Sequence, residues 1–120
     1  MTAEEAILFI HEKVWQGTKP GLDRTIELLS KMGNPQKQLR FIHIAGTNGK
    51  GSTSSMLAAI LKSAGLTTGL YTSPFISDFN ERMRVNGVPI TYDELASITE
   101  LCAPYALEME DRPTEFVLVT

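Results

Sequence analysis

The chain has 120 residues, 42% hydrophobic and 21% charged, with a formal net charge of −3. These proportions suit a chain that buries a core rather than a disordered or fibrous one, the length fits one domain or a piece of a larger protein, and the acidic balance speaks against a nucleic-acid partner. No apolar run approaches the roughly 20 residues of a membrane span, the opening Met-Thr-Ala-Glu-Glu is acidic where a signal peptide is basic, and the single Cys102 allows no internal disulfide, so a cytoplasmic protein with no membrane partner is expected.

A first amphipathic helix is expected over Ala3 to Trp15, with Ile7, Ile10 and Val14 at helical spacing and Leu8 and Trp15 beside them; Gly17 and Lys19-Pro20-Gly21 stop it. A second, about three turns long, carries Leu22, Ile26, Leu29 and Met32 and is closed by Gly33-Asn34-Pro35. Phe41-Ile-His-Ile-Ala45 then reads as a buried strand entering a glycine turn at Gly46, and His43 within it as a core histidine rather than a catalyst. After the turn, Ser52 to Ala64 reads as a helix with Met56, Leu57, Ile60 and Leu61 on one face and Gly65 as its terminator. Thr67 to Thr72 resembles a second strand, so this stretch forms a strand, loop, helix and strand unit for which parallel pairing and a right-handed crossover are expected.

Ser73 to Asn80 has no period and reads as an ordered surface loop of the kind that carries function. Asn86-Gly87, set between Met-Arg-Val and Val-Pro-Ile, signals a tight hairpin over Met83 to Ile90, with Pro89 confining its strand to an edge. Thr91 and Glu94 fit a capping box for a helix through Leu95, Ile98, Leu101 and Cys102, which Pro104 kinks or ends. Residues 93–115 hold seven acidic side chains against the single Arg112 and read as a solvated face rather than a metal site. The last residues, Glu-Phe-Val-Leu-Val-Thr, are apolar with no closing element after them, as expected of a piece of a longer protein.

The chemistry concentrates in Gly46-Thr-Asn-Gly-Lys-Gly-Ser52. Wrapping a phosphate needs small residues, exposed amides at a helix N-terminus and a cation for the terminal phosphates. Gly46, Gly49 and Gly51 supply the turn and Lys50 the charge, while Ser52 and Thr53 bring hydroxyls to where a Mg²⁺ ligand or phosphate donor stands. A triphosphate suits this loop better than a dinucleotide, whose turn needs G-x-G-x-x-G where here the order is G-x-x-G-x-G. The match to G-x-x-x-x-G-K-[ST] is itself imperfect, with Ile44 in place of the first glycine and Gly51 following the lysine.

The segment Phe41-Ile-His-Ile-Ala-Gly-Thr-Asn-Gly-Lys-Gly-Ser-Thr53 resembles the nucleotide loop of the Mur ligase superfamily, and its Lys-Gly-Ser form is similar to the folylpolyglutamate synthase and dihydrofolate synthase branch. Leu70-Tyr-Thr-Ser-Pro-Phe75 with Phe79-Asn-Glu-Arg82 resembles that branch's loop after the second strand, Arg24-Thr-Ile-Glu-Leu-Leu29 with Gly33-Asn-Pro35 fits its N-terminal helices, and Thr114-Glu-Phe116 looks like the start of its next helix. The resemblance implies an α/β fold with a P-loop-type parallel sheet and flanking helices, residues 1–120 being the N-terminal part of the ATP-binding domain and the C-terminal domain lying beyond them. It implies an ATP-dependent ligase, monomeric, that adds L-glutamate to folate or dihydropteroate through an acyl phosphate, with the 120 residues inactive alone. By the resemblance, residues Gly46, Thr47, Asn48, Gly49, Lys50, Gly51, Ser52 and Thr53 hold ATP, Lys50 supplies catalytic charge and Ser73 binds Mg²⁺. Phe75 and Phe79 either flank a pterin ring or pin the loop to the domain, and Arg82 pairs either with a substrate carboxylate or, by the safer reading, with Glu81 and Asp78. Two other classes stay open, a module that binds or hydrolyses nucleotide without ligating anything, and a scaffold whose glycine loop is empty.

Overall fold

The computed structural model of the chain describes residues 1–15, 17 and 19–120. In chain order its elements are α1 (Ala3–Ile10), α2 (Asp23–Lys31), α3 (Lys50–Ser63), β1 (Gly69–Tyr71), β2 (Met83–Val85), β3 (Val88–Pro89), α4 (Tyr92–Glu108) and α5 (Glu115–Val119), with 3₁₀ turns at Lys13–Trp15, Pro35–Gln38 and Phe79–Arg82. The residues gather into two compact units, one from Met1–Arg40 and Asp93–Thr120, the other from Phe41–Tyr92.

In the first unit, α1 starts at a capping box: Thr2 Oγ1 accepts from the Glu5 amide at 3.1 Å and the Glu5 carboxylate accepts from the Thr2 amide at 2.6 Å. The helix expected to reach Trp15 ends at Ile10, and a 3₁₀ turn follows in which the Trp15 amide donates to the Glu12 carbonyl at 3.0 Å. That tighter turn takes Trp15 off the helical spacing and into the core, where it is fully buried with Leu28, Ala106 and Met109 and flanked by Phe9, Met32, Tyr105, Val117 and Leu118. On α2 the residue that buries is Leu28, whereas Leu22 and Ile26, read as its inner face, are exposed. Its end is as expected: Gly33 and Asn34 take positive φ of 86° and 55°, Asn34 N donates to Leu29 O at 2.8 Å, and Pro35 follows.

Helix α4 runs through Pro104 to Glu108, so the proline does not end it. The buried face is made of Leu95, Ala96, Thr99, Ala103 and Ala106, while Ile98 and Leu101 point to solvent; packing along that face outweighs the one backbone bond a proline removes. Thr114 caps α5 by accepting from the Val117 amide at 3.3 Å, which sets the expected helix start, and α5 packs on α1. The acidic stretch is exposed but not bare. Asp111 pairs with Lys19 (3.3 Å) and Arg24 (3.0 Å), Glu108 with Lys31 (3.8 Å), and the Glu115 carboxylate lies 2.8 Å from His11 Nδ1, so the stretch is met by side chains of the first forty residues.

The second unit departs most from expectation. Residues 41–46 form no strand, Phe41 is 70% exposed and His43 is exposed rather than a core residue. A strand exists through its ladder, and the partner expected for this one is engaged elsewhere. β1 pairs antiparallel with β2, matching Gly69 with Val85, Leu70 with Arg84 and Tyr71 with Met83. The parallel sheet and its crossover are thus replaced, among the described residues, by a three-stranded antiparallel sheet in the order β1-β2-β3. The hairpin is as read: Val85 faces Val88, Asn86 and Gly87 take φ of 50° and 81°, and Pro89 lies on the edge strand. Asn86 also ties the turn to the start of β1, donating its amide to Thr68 O at 2.8 Å while its Oδ1 accepts from Thr68 N at 2.9 Å. Helix α3 packs against β1 and starts two residues earlier than expected; Met56 and Ile60, read as its apolar face, are exposed.

Candidate nucleotide site

All of Gly46, Thr47, Asn48, Gly49, Lys50, Gly51, Ser52 and Thr53 are exposed, and they form one continuous bend into the head of α3. Gly49 caps the helix at φ 75° and Gly46 lies at φ 153°, conformations that side chains disfavour. A Cβ built at Gly46, Gly49 or Gly51 would meet nothing within 4 Å, so the concave side of the bend is open to an incoming group. The first bond closing the helix runs from Thr53 N to Gly49 O at 2.9 Å. The amides of Lys50, Gly51 and Ser52 precede it and have no intrahelical acceptor, which leaves three donors and the positive helix end aimed at one place. The Lys50 ammonium folds back onto the Gly46 carbonyl, and Ser54 Oγ donates to Lys50 O at 2.7 Å. The donor set therefore fits a phosphate chain.

For Mg²⁺ the chain offers neutral oxygens, in keeping with a cation held largely by phosphate oxygens and water. No three His, Cys, Asp or Glu side chains cluster among the described residues. Ser52 and Thr53 lie in the loop, and the exposed Ser73 Oγ accepts from Arg82 Nη1 at 3.3 Å, which leaves that hydroxyl a lone pair for a further partner.

Arg82 takes neither partner of the expected local salt bridge. Its guanidinium lies over Phe75 at 5.1 Å and Phe79 at 5.5 Å, and these two rings meet edge to face at 5.8 Å. The Glu81 carboxylate accepts instead from the amides of Ile76 (2.9 Å), Ser77 (3.3 Å) and Asp78 (3.2 Å), and Asp78 Oδ1 accepts from the Tyr92 hydroxyl at 3.0 Å. The Ile76 amide above all, then those of Asp78 and Ser77 with the charge of Arg84, hold the Glu81 carboxyl below the usual carboxylate range. Phe79 is 6% exposed, which makes it a pin for the loop; Phe75, at 37%, keeps a free face.

A cavity of about 600 Å³ lies within this unit, running from Gly51, Ser55 and Lys62 on α3 to Ser73, Glu81 and Arg84. It brings Gly51 and Ser73 to one space and leaves the other expected site residues outside its lining. Ser55, Lys62 and Arg84 went unread, since their spacing on α3 and β2 carries no sequence signal of its own. The Asp78-x-x-Glu81 spacing of a capping box is the sequence signal that marks Glu81.

No protein-family model matches the chain. The dihydrofolate synthase/folylpolyglutamate synthase of Bacillus subtilis is 42% identical over 121 residues, which take in 98% of this chain and 28% of that protein. The folylpolyglutamate synthetase of Lactobacillus casei superposes with a TM-score of 0.90 at 37% identity, over 99% of this chain and 31% of that one. An FPGS complex with AMPPCP and folate superposes at 0.89 with 36% identity, over 99% of this chain and 30% of that one. The chain thus spans less than a third of the length of these relatives. The small sheet, its helices and the glycine loop at the head of α3 place it in the Mur ligase-like α/β class. Within that class it corresponds, in sequence and in fold, to the N-terminal part of the folylpolyglutamate and dihydrofolate synthases. Among the described residues no helix is long and apolar enough to cross a membrane.

Proposed function

We propose that these residues are the nucleotide-binding part of a cytoplasmic, monomeric, ATP-dependent ligase that joins L-glutamate to a carboxylate of folate or dihydropteroate. The observation that carries the reading is the open bend of Gly46 to Thr53, with three unpaired amides and Lys50 at the head of a helix. A carboxylate becomes an acyl donor once one of its oxygens attacks the γ-phosphorus and ADP departs. The glutamate amine then attacks the acyl carbon, loses a proton and expels phosphate. Neither step asks the protein for a nucleophile; both ask for charge neutralisation and alignment. In this reading residues 46–53 hold ATP, Lys50 leaves the Gly46 carbonyl for the terminal phosphates, and Ser73 gives its free lone pair to Mg²⁺, which would neutralise phosphate charge when bound. The free face of Phe75 stacks on the pterin, with Phe79 and Arg82 backing it.

Glutamate incorporation, measured with ADP release, tests this. A chain of the relatives' length is expected to turn over only with a folate-type acceptor. The 120 residues alone are expected to bind ATP weakly and ligate nothing, because the described residues offer no evident site for the amine. ATP hydrolysis that ignores the acceptor would favour a nucleotide module, and no nucleotide binding at any length would leave a scaffold. In the longer chain, Ser73→Ala is expected to raise the Mg²⁺ needed for half-maximal turnover several-fold with little change in ATP affinity, as water replaces one oxygen ligand. An unchanged Mg²⁺ titration would return Ser73 to a turn-forming role ahead of Pro74.

A further inference from the structure

The geometry points to Glu81 as the positioning residue that holds the loop of residues 73–78, and through it the Ser73 hydroxyl, in place for the reaction; the inference rests on the ligase reading above. The two ends of this loop are tied by one bond, from Thr72 N to Arg82 O at 2.9 Å. Inside the tie Phe79 is buried edge to face with Phe75, and the backbone of residues 76–78 is gathered by a polar group instead. Three successive amides turn inward to a single half-buried carboxylate, Ile76 N to Oε2 at 2.9 Å and Ser77 N and Asp78 N to Oε1 at 3.3 and 3.2 Å. The Glu81 amide in turn donates to Asp78 O at 3.0 Å, so the carboxylate sits on a 3₁₀ turn that the loop itself closes. Turning the amides inward turns the side chains outward, and Ile76 is 94% exposed. From the same 3₁₀ turn Arg82 reaches back to Ser73 Oγ and covers Phe75.

Without the carboxylate, three amides would have to find water, and residues 76–78 would lose the group that gathers them, leaving the Thr72 tie and the Phe79 pin to hold the ends. Glu81 borders the cavity that Gly51 and Ser73 also line, but its carboxylate bonds are to residues 76–78 and none is to residues 46–53. Its effect on Ser73 passes through the loop backbone and the Arg82 side chain. Alanine removes both acceptor oxygens and with them all three bonds. Glutamine keeps one carbonyl oxygen, enough for either the Ile76 bond or the Ser77 and Asp78 pair, and presents an NH₂ to the rest.

Hydrogen exchange and kinetics together test the proposal. In Glu81→Ala the amides of Ile76, Ser77 and Asp78 are expected to exchange at least tenfold faster on the order expected for charge-assisted bonds, while α3 and β1 keep their protection. In a chain of the relatives' length, half-saturating Mg²⁺ and the acceptor KM are expected to rise several-fold with the ATP KM unchanged, and Glu81→Gln to recover part of each. Exchange that stays within about twofold of wild type would overturn the clamp. A uniform fall in kcat with no Mg²⁺ or acceptor shift would overturn the positioning role. Should the alanine variant also unprotect α3 and β1, the glutamine variant decides, with faster exchange confined to one set of amides as the supporting result and a wild-type pattern as the overturning one. Ser73→Ala separates the two levels: if it is defective while Glu81→Ala is silent, the ligase reading stands and this inference falls, and if both are silent while exchange has risen, the ligase reading of the loop falls as well.

Discussion

Replacing Lys50 with alanine is expected to lower ligation in a chain of the relatives' length by about 10²–10³-fold or more, the scale of losing one positioned charge or donor from a transition state. The fold should survive it. Lys50 is exposed, lies in the first turn of α3 and makes one side-chain bond, to the Gly46 carbonyl at the open end of the loop, so little packing is lost. Alanine is also the better helix former at that position. Circular dichroism should be unchanged while kcat/KM collapses, and Lys50→Arg should recover little, because a planar guanidinium does not replace a compact ammonium inside a tight bend. Wild-type turnover by the alanine variant would remove the loop from the chemistry; a lost helix signal would mean that the Gly46 contact matters to folding after all.

How far this was legible from sequence depends on how local each signal is. Asn86-Gly87 specified its turn because two residues at positive φ are nearly all an I′ hairpin needs, and Gly33-Asn34-Pro35 ended α2 for a similar reason. Gly46 to Ser52 stood out because a phosphate loop is built from consecutive residues. The strand at 41–45 failed because its apolar texture says only that it wants a partner, and the antiparallel choice of β1 was made by Met83–Val85, whose residues pair with it across twelve to sixteen positions. Leu28 rather than Leu22 or Ile26 buries because the core of that unit is set by Trp15 and Met109, far off in sequence. The pairing expected of Arg82 went wrong for a subtler reason. Glu81 was available as a local countercharge, but three amides within hydrogen-bonding distance reached it first, and the guanidinium settled over two rings whose approach no spacing rule foretells.

The largest stability effect is expected from Trp15→Ala in the first unit. Trp15 is fully buried, its ring stands 5.2 Å from Phe9, and Arg112 lies over it at 5.7 Å. Leu28, Ala106 and Met109 complete its surroundings, two of them on α4 and the segment just after it, so this one side chain joins residues nearly a hundred positions apart. Truncation removes the transfer free energy of the indole and leaves a cavity that a core of short alanines cannot close by local collapse, which together cost about 3–5 kcal/mol. Small domains keep only about 5–15 kcal/mol in total, so the variant should melt far below wild type and can be partly unfolded at physiological temperature. Trp15→Phe keeps most of the ring and its contact with Arg112 and should lose roughly half as much. Trp15 is the only tryptophan of the chain, so blue-shifted emission that moves red on urea unfolding would report on this core directly in the wild type, with circular dichroism following the alanine variant. A melting temperature within a few degrees of wild type would show that α1, α2 and α4 are held by something other than this cluster, and the ion pairs of Asp111 with Lys19 and Arg24 would be the next place to cut.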